Sequence, residues 1–267
     1  MQEYLFPISK ELDNINKQLK SIFLFKNDLG EDLKKFISSN SKRIRSIVSL
    51  LYLKSLKENI SDECLTIITA GEIIHNASLL QDDVIDEAEI RRGETTIGAK
   101  FSPKISILSG DYLLSLAIEN LLSVNNSYII QSFLKCTKKM CQSEIEQYFL
   151  RGKLPDIETY IKICKGKTAE LFCAILESCA LLEELNIEDA QKFACNFGIF
   201  FQLKNDLEKF SALTDKKNNI FTPKDIFGIE KTLDLIDNYS NRIRCNINKL
   251  PDNVYKKGLE VLVTKLW

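Results

Sequence analysis

Glycine and proline are scarce in this chain, at 10 and 5 of 267 residues. Both interrupt helices and supply the tight turns of β structure, so their scarcity argues against a turn-rich sandwich or barrel and against a flexible linker. The prolines present, Pro7, Pro103, Pro155, Pro223 and Pro251, fall where helices would begin or end. Neither sign of charge dominates: a formal net charge of −1 gives no electrostatic footing for nucleic acid. Long apolar runs are missing too. No segment reaches the roughly 18 uninterrupted apolar residues of a membrane span. The start, Met1-Gln2-Glu3-Tyr4, lacks the charged and then apolar pattern of a secretory leader. The expectation is a cytoplasmic protein with no integral membrane segment. Cys-x-x-Cys spacing is also absent, so Cys64, Cys136, Cys141, Cys164, Cys173, Cys179, Cys195 and Cys245 read as reduced, mostly buried thiols. Cys136 and Cys141 are read as packing residues.

What the chain does have is material for a large core, with 45% hydrophobic and 27% charged residues. Apolar residues recur at three- and four-residue intervals, which predicts helices near residues 8–25, 42–58, 62–87, 103–122, 126–150, 156–183, 187–212, 228–247 and 251–265. Ser102 before Pro103, Asp156 after Pro155 and Asn186 before Ile187-Glu188-Asp189 supply helix-start chemistry. No strand pattern competes, and no repeat or low-complexity tract divides the chain. The reading is an all-α protein with one domain over residues 1–267.

The chemistry concentrates at Asp82-Asp83-Val84-Ile85-Asp86, followed by Arg91-Arg92-Gly93. At helical spacing Asp82 and Asp86 share a face and Asp83 sits about 100° around it, so repulsion opposes the helix unless a cation bridges the acids. Nothing nearby in sequence neutralises them. Magnesium takes oxygen ligands, usually one or two carboxylates plus substrate phosphates, and arginine forks suit phosphate oxygens. The ligand implied is a diphosphate.

Together these residues resemble the trans-polyprenyl diphosphate synthase family, long-chain type, whose first motif reads Asp-Asp-x-x-Asp with Arg-Arg-Gly after it. Lys42-Arg43-Ile44-Arg45 is similar to its Gly-Lys-Arg-x-Arg-Pro element, with Ser41 and Ser46 in place of glycine and proline. Further matches are Gly71-Glu72-Ile73-Ile74-His75, Gly110-Asp111, Glu144 through Gln147, Lys167-Thr168-Ala169, and Gly198 through Phe201-Gln202. The resemblance implies a class I terpenoid synthase-like (isoprenoid-synthase) helical bundle around a central cavity. It implies condensation of isopentenyl diphosphate with an allylic diphosphate by ionisation, addition and proton loss, with released diphosphate as the base. It also implies roles for individual residues. Asp82, Asp83, Asp86, Arg91 and Lys167 would be catalytic. Asp82 and Asp86 would bind Mg2+, several ions bridging to the allylic diphosphate, with Asn205 and Asp206 on a second wall. Arg91, Lys167 and Gln202, with Thr168 beside them, would hold the allylic diphosphate, and Lys42, Arg45, His75 and Arg92 isopentenyl diphosphate. The implied assembly is a homodimer, or a heteromeric pairing.

The second aspartate-rich motif departs from the family pattern Phe-Gln-x-x-Asp-Asp-x-x-Asp, reading Phe201-Gln202-Leu203-Lys204-Asn205-Asp206-Leu207-Glu208-Lys209. Asn205 still offers a carbonyl oxygen, but Lys209 places an ammonium where an acid is expected, so metal binding should weaken on this wall. Lys216 and Lys217 only loosely match the lysine loop that follows. Two other functions share features with this pattern: a class I terpene cyclase, and a non-catalytic or partner-dependent subunit of a heteromeric synthase. Lys209 and Leu213 stand where the cyclase motif has serine and glutamate, and a partner subunit commonly loses the first motif, which is whole here. Ala77 and Ser78, five and four before Asp82, are small where short-chain synthases carry an aromatic. An open tunnel and products longer than geranylgeranyl are therefore expected.

Overall fold

A computed structural model describes residues 3–22, 25–38, 42–208 and 221–266. A 3-10 turn, Glu3–Ile8, leads into α1 (Ser9–Ser21), α2 (Asp28–Ser38), α3 (Ile44–Leu56) and α4 (Asp62–Ile85). An antiparallel hairpin of β1 (Ile90–Arg91) and β2 (Glu94–Thr95) precedes α5 (Ile97–Lys100), α6 (Pro103–Ser123), α7 (Ser127–Phe149) and α8 (Ile157–Cys164). A π turn, Lys165–Ala169, joins α8 to α9 (Glu170–Leu182), and α10 (Ile187–Glu208), α11 (Pro223–Phe227), α12 (Ile229–Asn248) and α13 (Val254–Leu266) follow. The protein is all-α, as its sequence predicts. Its contacts cluster into two compact units: an amino-terminal one of Ile8–Leu50 and Ser61–Ile130, and a carboxy-terminal one of Met1–Pro7, Leu51–Ile60 and Gln131–Trp267.

Local chemistry explains where helices start. Ser102 accepts from the Ile105 N–H ahead of Pro103, Asp156 accepts from the Thr159 N–H at 2.7 Å, and Asn186 accepts from the Asp189 N–H at 3.0 Å. Each satisfies an amide that the first helical turn leaves without a partner. Three features depart from the sequence reading. Helix α2 was not expected, although Asn27 caps it through the Gly30 N–H at 3.0 Å and Leu33 and Ile37 form its buried stripe. The helix expected over 156–183 is interrupted by the π turn, whose extra residue per turn leaves no mark in apolar spacing. The hairpin also escaped notice, because two-residue strands are too short to show alternation. Its loop, Arg92-Gly93, has both residues at positive φ, 54° and 84°, as a two-residue hairpin of type I′ requires.

In the amino-terminal unit α4 is the central helix and packs chiefly on α6. Over an 18-residue window α6 has a mean hydropathy of 1.3, long and apolar enough to cross a membrane by composition, which the search for uninterrupted apolar runs missed. Its inner face explains the composition: Ser106, Ser109, Gly110, Leu113, Ala117 and Leu121 are buried, and the Ser106 hydroxyl donates to the Leu80 carbonyl of α4 at 2.8 Å. Glu72, 1% exposed, is the electrostatic anchor of this unit. It accepts from the Ser46 hydroxyl at 2.7 Å, the Ser46 N–H at 3.2 Å and Arg43 Nη1 at 3.4 Å. Arg43 also donates to the Ile37 carbonyl at 2.7 Å, so one ion pair ties the end of α2 and the start of α3 to α4. The carboxy-terminal unit is held instead by aromatics. Phe193 stacks on Tyr52 with centroids 4.6 Å apart, and Phe172, Phe197, Phe200 and Phe201 continue the cluster. Each fully buried phenylalanine contributes about 2 kcal/mol through area removed from water.

Removing Glu72 leaves Arg43 buried without its carboxylate. Glu72→Ala is expected to lower unfolding free energy by about 3 kcal/mol in a urea titration, whereas Glu58→Ala on the exposed surface should change nothing. A loss under about 1 kcal/mol would show that the pair is not an anchor.

Candidate active site

The three aspartates close α4. Asp82 and Asp83 lie in its last turn and Asp86 is its C-cap, with the Asp86 N–H bonded to the Asp82 carbonyl at 2.8 Å. Asp82 and Asp86 are half-buried, one turn apart, but Asp83 is only 2% exposed. No neighbour in sequence neutralises this cluster, but the fold supplies one. Arg91 Nε donates to Asp83 Oδ1 at 2.5 Å, an ion pair brought about by the chain reversing between Asp86 and β1. Arg91 is thereby engaged by an acid as well as being a candidate for diphosphate. Burial pushes the Asp83 carboxyl up, and Arg91 opposes that shift. Its second oxygen is buried with no hydrogen-bond partner. Half-buried Asp82 and Asp86 and an orphaned carboxylate oxygen beside them suit a hard cation that takes oxygen ligands. The described residues hold no group of three or more His, Cys, Asp or Glu side chains able to cage a metal alone.

Two turns before Asp82 on α4 stands His75, half-buried. Burial lowers its pKa well below the ordinary value, and the positive charges of Arg45, Arg92, Arg91 and Arg43 lower it further. The ring is therefore neutral at pH 7, in a positive surrounding suited to an anion. Arg45, 8% exposed, projects from the first turn of α3, and Arg92 sits on the exposed loop of the hairpin. Lys42 is exposed, two residues before α3. The four residues expected to hold isopentenyl diphosphate thus all belong to the amino-terminal unit.

The carboxy-terminal unit carries the others. The π turn presents Lys167, bonded to Glu144 Oε2 at 2.5 Å and Gln147 Oε1 at 2.9 Å, and Thr168, whose hydroxyl donates to Gln202 Oε1 at 2.7 Å. Gln202 Nε2 in turn donates to Asp206 Oδ1 at 2.8 Å, and the Tyr160 hydroxyl donates to Asp206 Oδ2 at 2.5 Å. Both oxygens of Asp206 already accept a hydrogen bond, Asn205 is half-buried, and Lys204 is 8% exposed. One neutral carbonyl and one twice-bonded carboxylate make a poorer metal wall than the end of α4. Lys209, Leu213, Lys216 and Lys217 lie outside the described residues. Sequence reasoning missed Tyr160. The available signal was a tyrosine on the apolar face of α8 two turns before Lys167, since a buried phenol needs a polar partner.

Ala77 is 3% exposed, and its carbonyl lies 3.1 Å from where a Cβ would stand on Gly110 of α6, so the two helices pack closely at this level. Ser78 is half-buried, its hydroxyl donating to the His75 carbonyl at 2.9 Å.

His75 is the chain's only histidine, which makes its ring protons a single readable signal. Because its folded pKa is depressed, the unfolded chain binds a proton first. Stability is therefore full above about pH 6.5 and falls as pH drops below it. Proton NMR titration should place the pKa below about 6.5, and added inorganic diphosphate should raise it by offsetting the arginines. A pKa that diphosphate leaves unmoved would show that the anion binds elsewhere.

A family model described as polyprenyl synthetase matches residues 26–254. A prenyl transferase of Cyanophora paradoxa is 29% identical over 249 residues, 87% of this chain and 77% of the relative. Octaprenyl diphosphate synthase of Escherichia coli K12 is 31% identical over 206 residues, 74% of this chain and 61% of the relative. Heptaprenyl diphosphate synthase component 2 of Geobacillus stearothermophilus is 31% identical over 192 residues, 70% and 60%. The match therefore spans less than two thirds of the last two proteins. Among solved structures, heptaprenyl diphosphate synthase of Staphylococcus aureus superposes with a TM-score of 0.87 at 23% identity, covering 97% of each chain. Geranyltransferase of Helicobacter pylori, complexed with magnesium and isoprenyl diphosphate, gives 0.82 at 20% identity over 100% of this chain and 98% of that one. These likenesses fix the fold. With a family match running from α2 through the aspartates of α4, the π turn and α10, this chain belongs to the polyprenyl synthetase family.

Proposed function

We propose that the protein is a long-chain trans-polyprenyl diphosphate synthase, a prenyltransferase that adds isopentenyl diphosphate to an allylic diphosphate. The observation that carries this reading is the order of charge along α4: half-buried acids at its end, and a neutral histidine among arginines two turns earlier, about 10 Å along the axis. Two diphosphates of equal charge need unlike receptors if each is to find its place. One receptor is acidic and requires a cation. The other is cationic already.

In this reading Asp82 and Asp86 hold magnesium, which when bound supplies Lewis-acid stabilisation of the leaving diphosphate. Lys167 and Gln202 orient that diphosphate, with Thr168 fixing the Gln202 amide and Tyr160 fixing Asp206. Asp83 keeps Arg91 beside the site. His75, Arg45, Arg92 and Lys42 receive isopentenyl diphosphate, whose double bond attacks the allylic carbon before a proton leaves to the released diphosphate. Asn205 and Asp206 contribute at most a weak metal wall. The family match over residues 26–254 supports one polyprenyl synthetase domain, which we place in the cytoplasm. Exposed Leu108 and Leu122 on α6, and exposed Leu134 and Ile145 on α7, support association with a second copy. The relative named as a component of its synthase keeps a heteromeric partner as the second reading.

Product length tests the proposal through the one tunnel candidate that keeps exposure. Ser78→Phe should shift product from long chains to farnesyl or geranylgeranyl diphosphate with the protein still folded. Ala77→Phe should instead overpack α4 against α6 at a cost of about 1–3 kcal/mol. Chromatography of products and a urea midpoint separate the two. An unchanged product distribution in Ser78→Phe would show that the chain runs along another face.

A further inference from the structure

Helices α9 and α10 form an antiparallel pair whose facing residues keep one register. Thr168, just before α9, donates to Gln202, and a turn farther along Ala169 lies against Gly198. A Cβ on Gly198 would stand 2.4 Å from the Ala169 Cα, so only glycine permits the approach. Beyond that, Gln191 donates to Glu177. Cys173 and Cys195 occupy the rung between these last two. The Cys173 thiol donates to the Gln191 carbonyl oxygen at 3.9 Å, and the two thiols face each other across the pair closely enough to perturb each other's protonation. Both thiols are half-buried rather than sealed in the core. Neither has a place in the diphosphate or metal chemistry above. Where two helices are drawn together this closely, facing cysteines one turn away approach the short separation a disulfide demands.

We propose that Cys173 and Cys195 are a redox-active dithiol that closes into a disulfide across α9 and α10 by exchange with a low-molecular-weight disulfide of the glutathione class. Cys195 is the attacking thiol. The neighbouring Cys173 thiol holds its pKa below the ordinary thiol value, with Lys165 and Lys139 helping, whereas Cys195 and burial push Cys173 up. After losing its proton to solvent, the Cys195 thiolate attacks one sulfur of the small disulfide. A mixed disulfide forms and one small thiolate leaves, taking up a proton. The Cys173 sulfur then attacks Cys195 Sγ, forming the internal disulfide, and the second small thiolate leaves with the Cys173 proton. Two protein thiols are oxidised and one small disulfide is reduced to two thiols. The bond would clamp α9 to α10 near the Thr168–Gln202 contact.

The test equilibrates the full chain at pH 7 against mixtures of reduced and oxidised glutathione, quenches by alkylation, and reads intact mass and a non-reducing peptide map. The expected result is loss of two alkylatable thiols per chain with no retained glutathione, a peptide linking Cys173 to Cys195, and reversal by dithiothreitol. Cys195→Ser should abolish the cross-link. Cys173→Ser should stop at a glutathione adduct on Cys195, with native circular dichroism showing that both variants fold. Wild type that stays fully alkylatable, retains a glutathione adduct, or cross-links another pair would overturn the proposal.

Discussion

Two carboxylates are kept inside the protein on one helix, and each is matched by an arginine from another element. A buried carboxylate without a partner costs several kcal/mol, enough to consume much of a domain's stability. Glu72 is therefore bound to Arg43, and Asp83 to Arg91. These pairs do more than hold charge. Arg43 sits at a positive φ of 47° at the entry to α3, so its bond to Glu72 fixes the turn from which Arg45 projects. Arg91, held by Asp83, fixes the hairpin whose loop carries Arg92. The arginines around His75 are thus positioned by the arginines that pair with acids. Burial first, and then these arginines, keep His75 neutral, able to donate a hydrogen bond to an anion without adding charge of its own.

The carboxy-terminal unit solves a different problem. Its aromatic cluster needs no charge pairing, and the polar network it holds is a single chain from Thr168 through Gln202 to Asp206, closed by Tyr160. Asp206 survives where two other acids of the family motif do not, and its carboxylate is occupied by two donors. The carboxylate thereby holds the Gln202 amide in place.

Local signals were legible from the sequence and long-range pairings were not. Ser102, Asp156 and Asn186 announced their helices because a cap needs only its own next three residues. Asp82 and Asp86 stood out because acids one turn apart on an apolar helix call for a cation, whereas His75, Lys167 and Gln202 were singled out through the family resemblance. The Arg91–Asp83 bond required knowing that the chain doubles back through Arg92-Gly93, and two-residue strands give no periodic signal. The π turn at Lys165–Ala169 hid inside an uninterrupted apolar pattern. Gly110 lets α6 approach the α4 backbone at Ala77, a contact that the small size of Ala77 did not announce.

The central claim is that the acids ending α4 serve ionisation of an allylic diphosphate while the cationic end receives isopentenyl diphosphate. The most direct test incubates the purified chain, and its Asp82→Ala variant, with magnesium, labelled isopentenyl diphosphate and farnesyl diphosphate, and separates the products by chromatography. The account predicts linear products longer than geranylgeranyl diphosphate from the wild type, and turnover lower by about 100-fold or more in the variant, whose helical circular dichroism stays native. A cyclic hydrocarbon, no labelled product, or a variant as active as the wild type would contradict it.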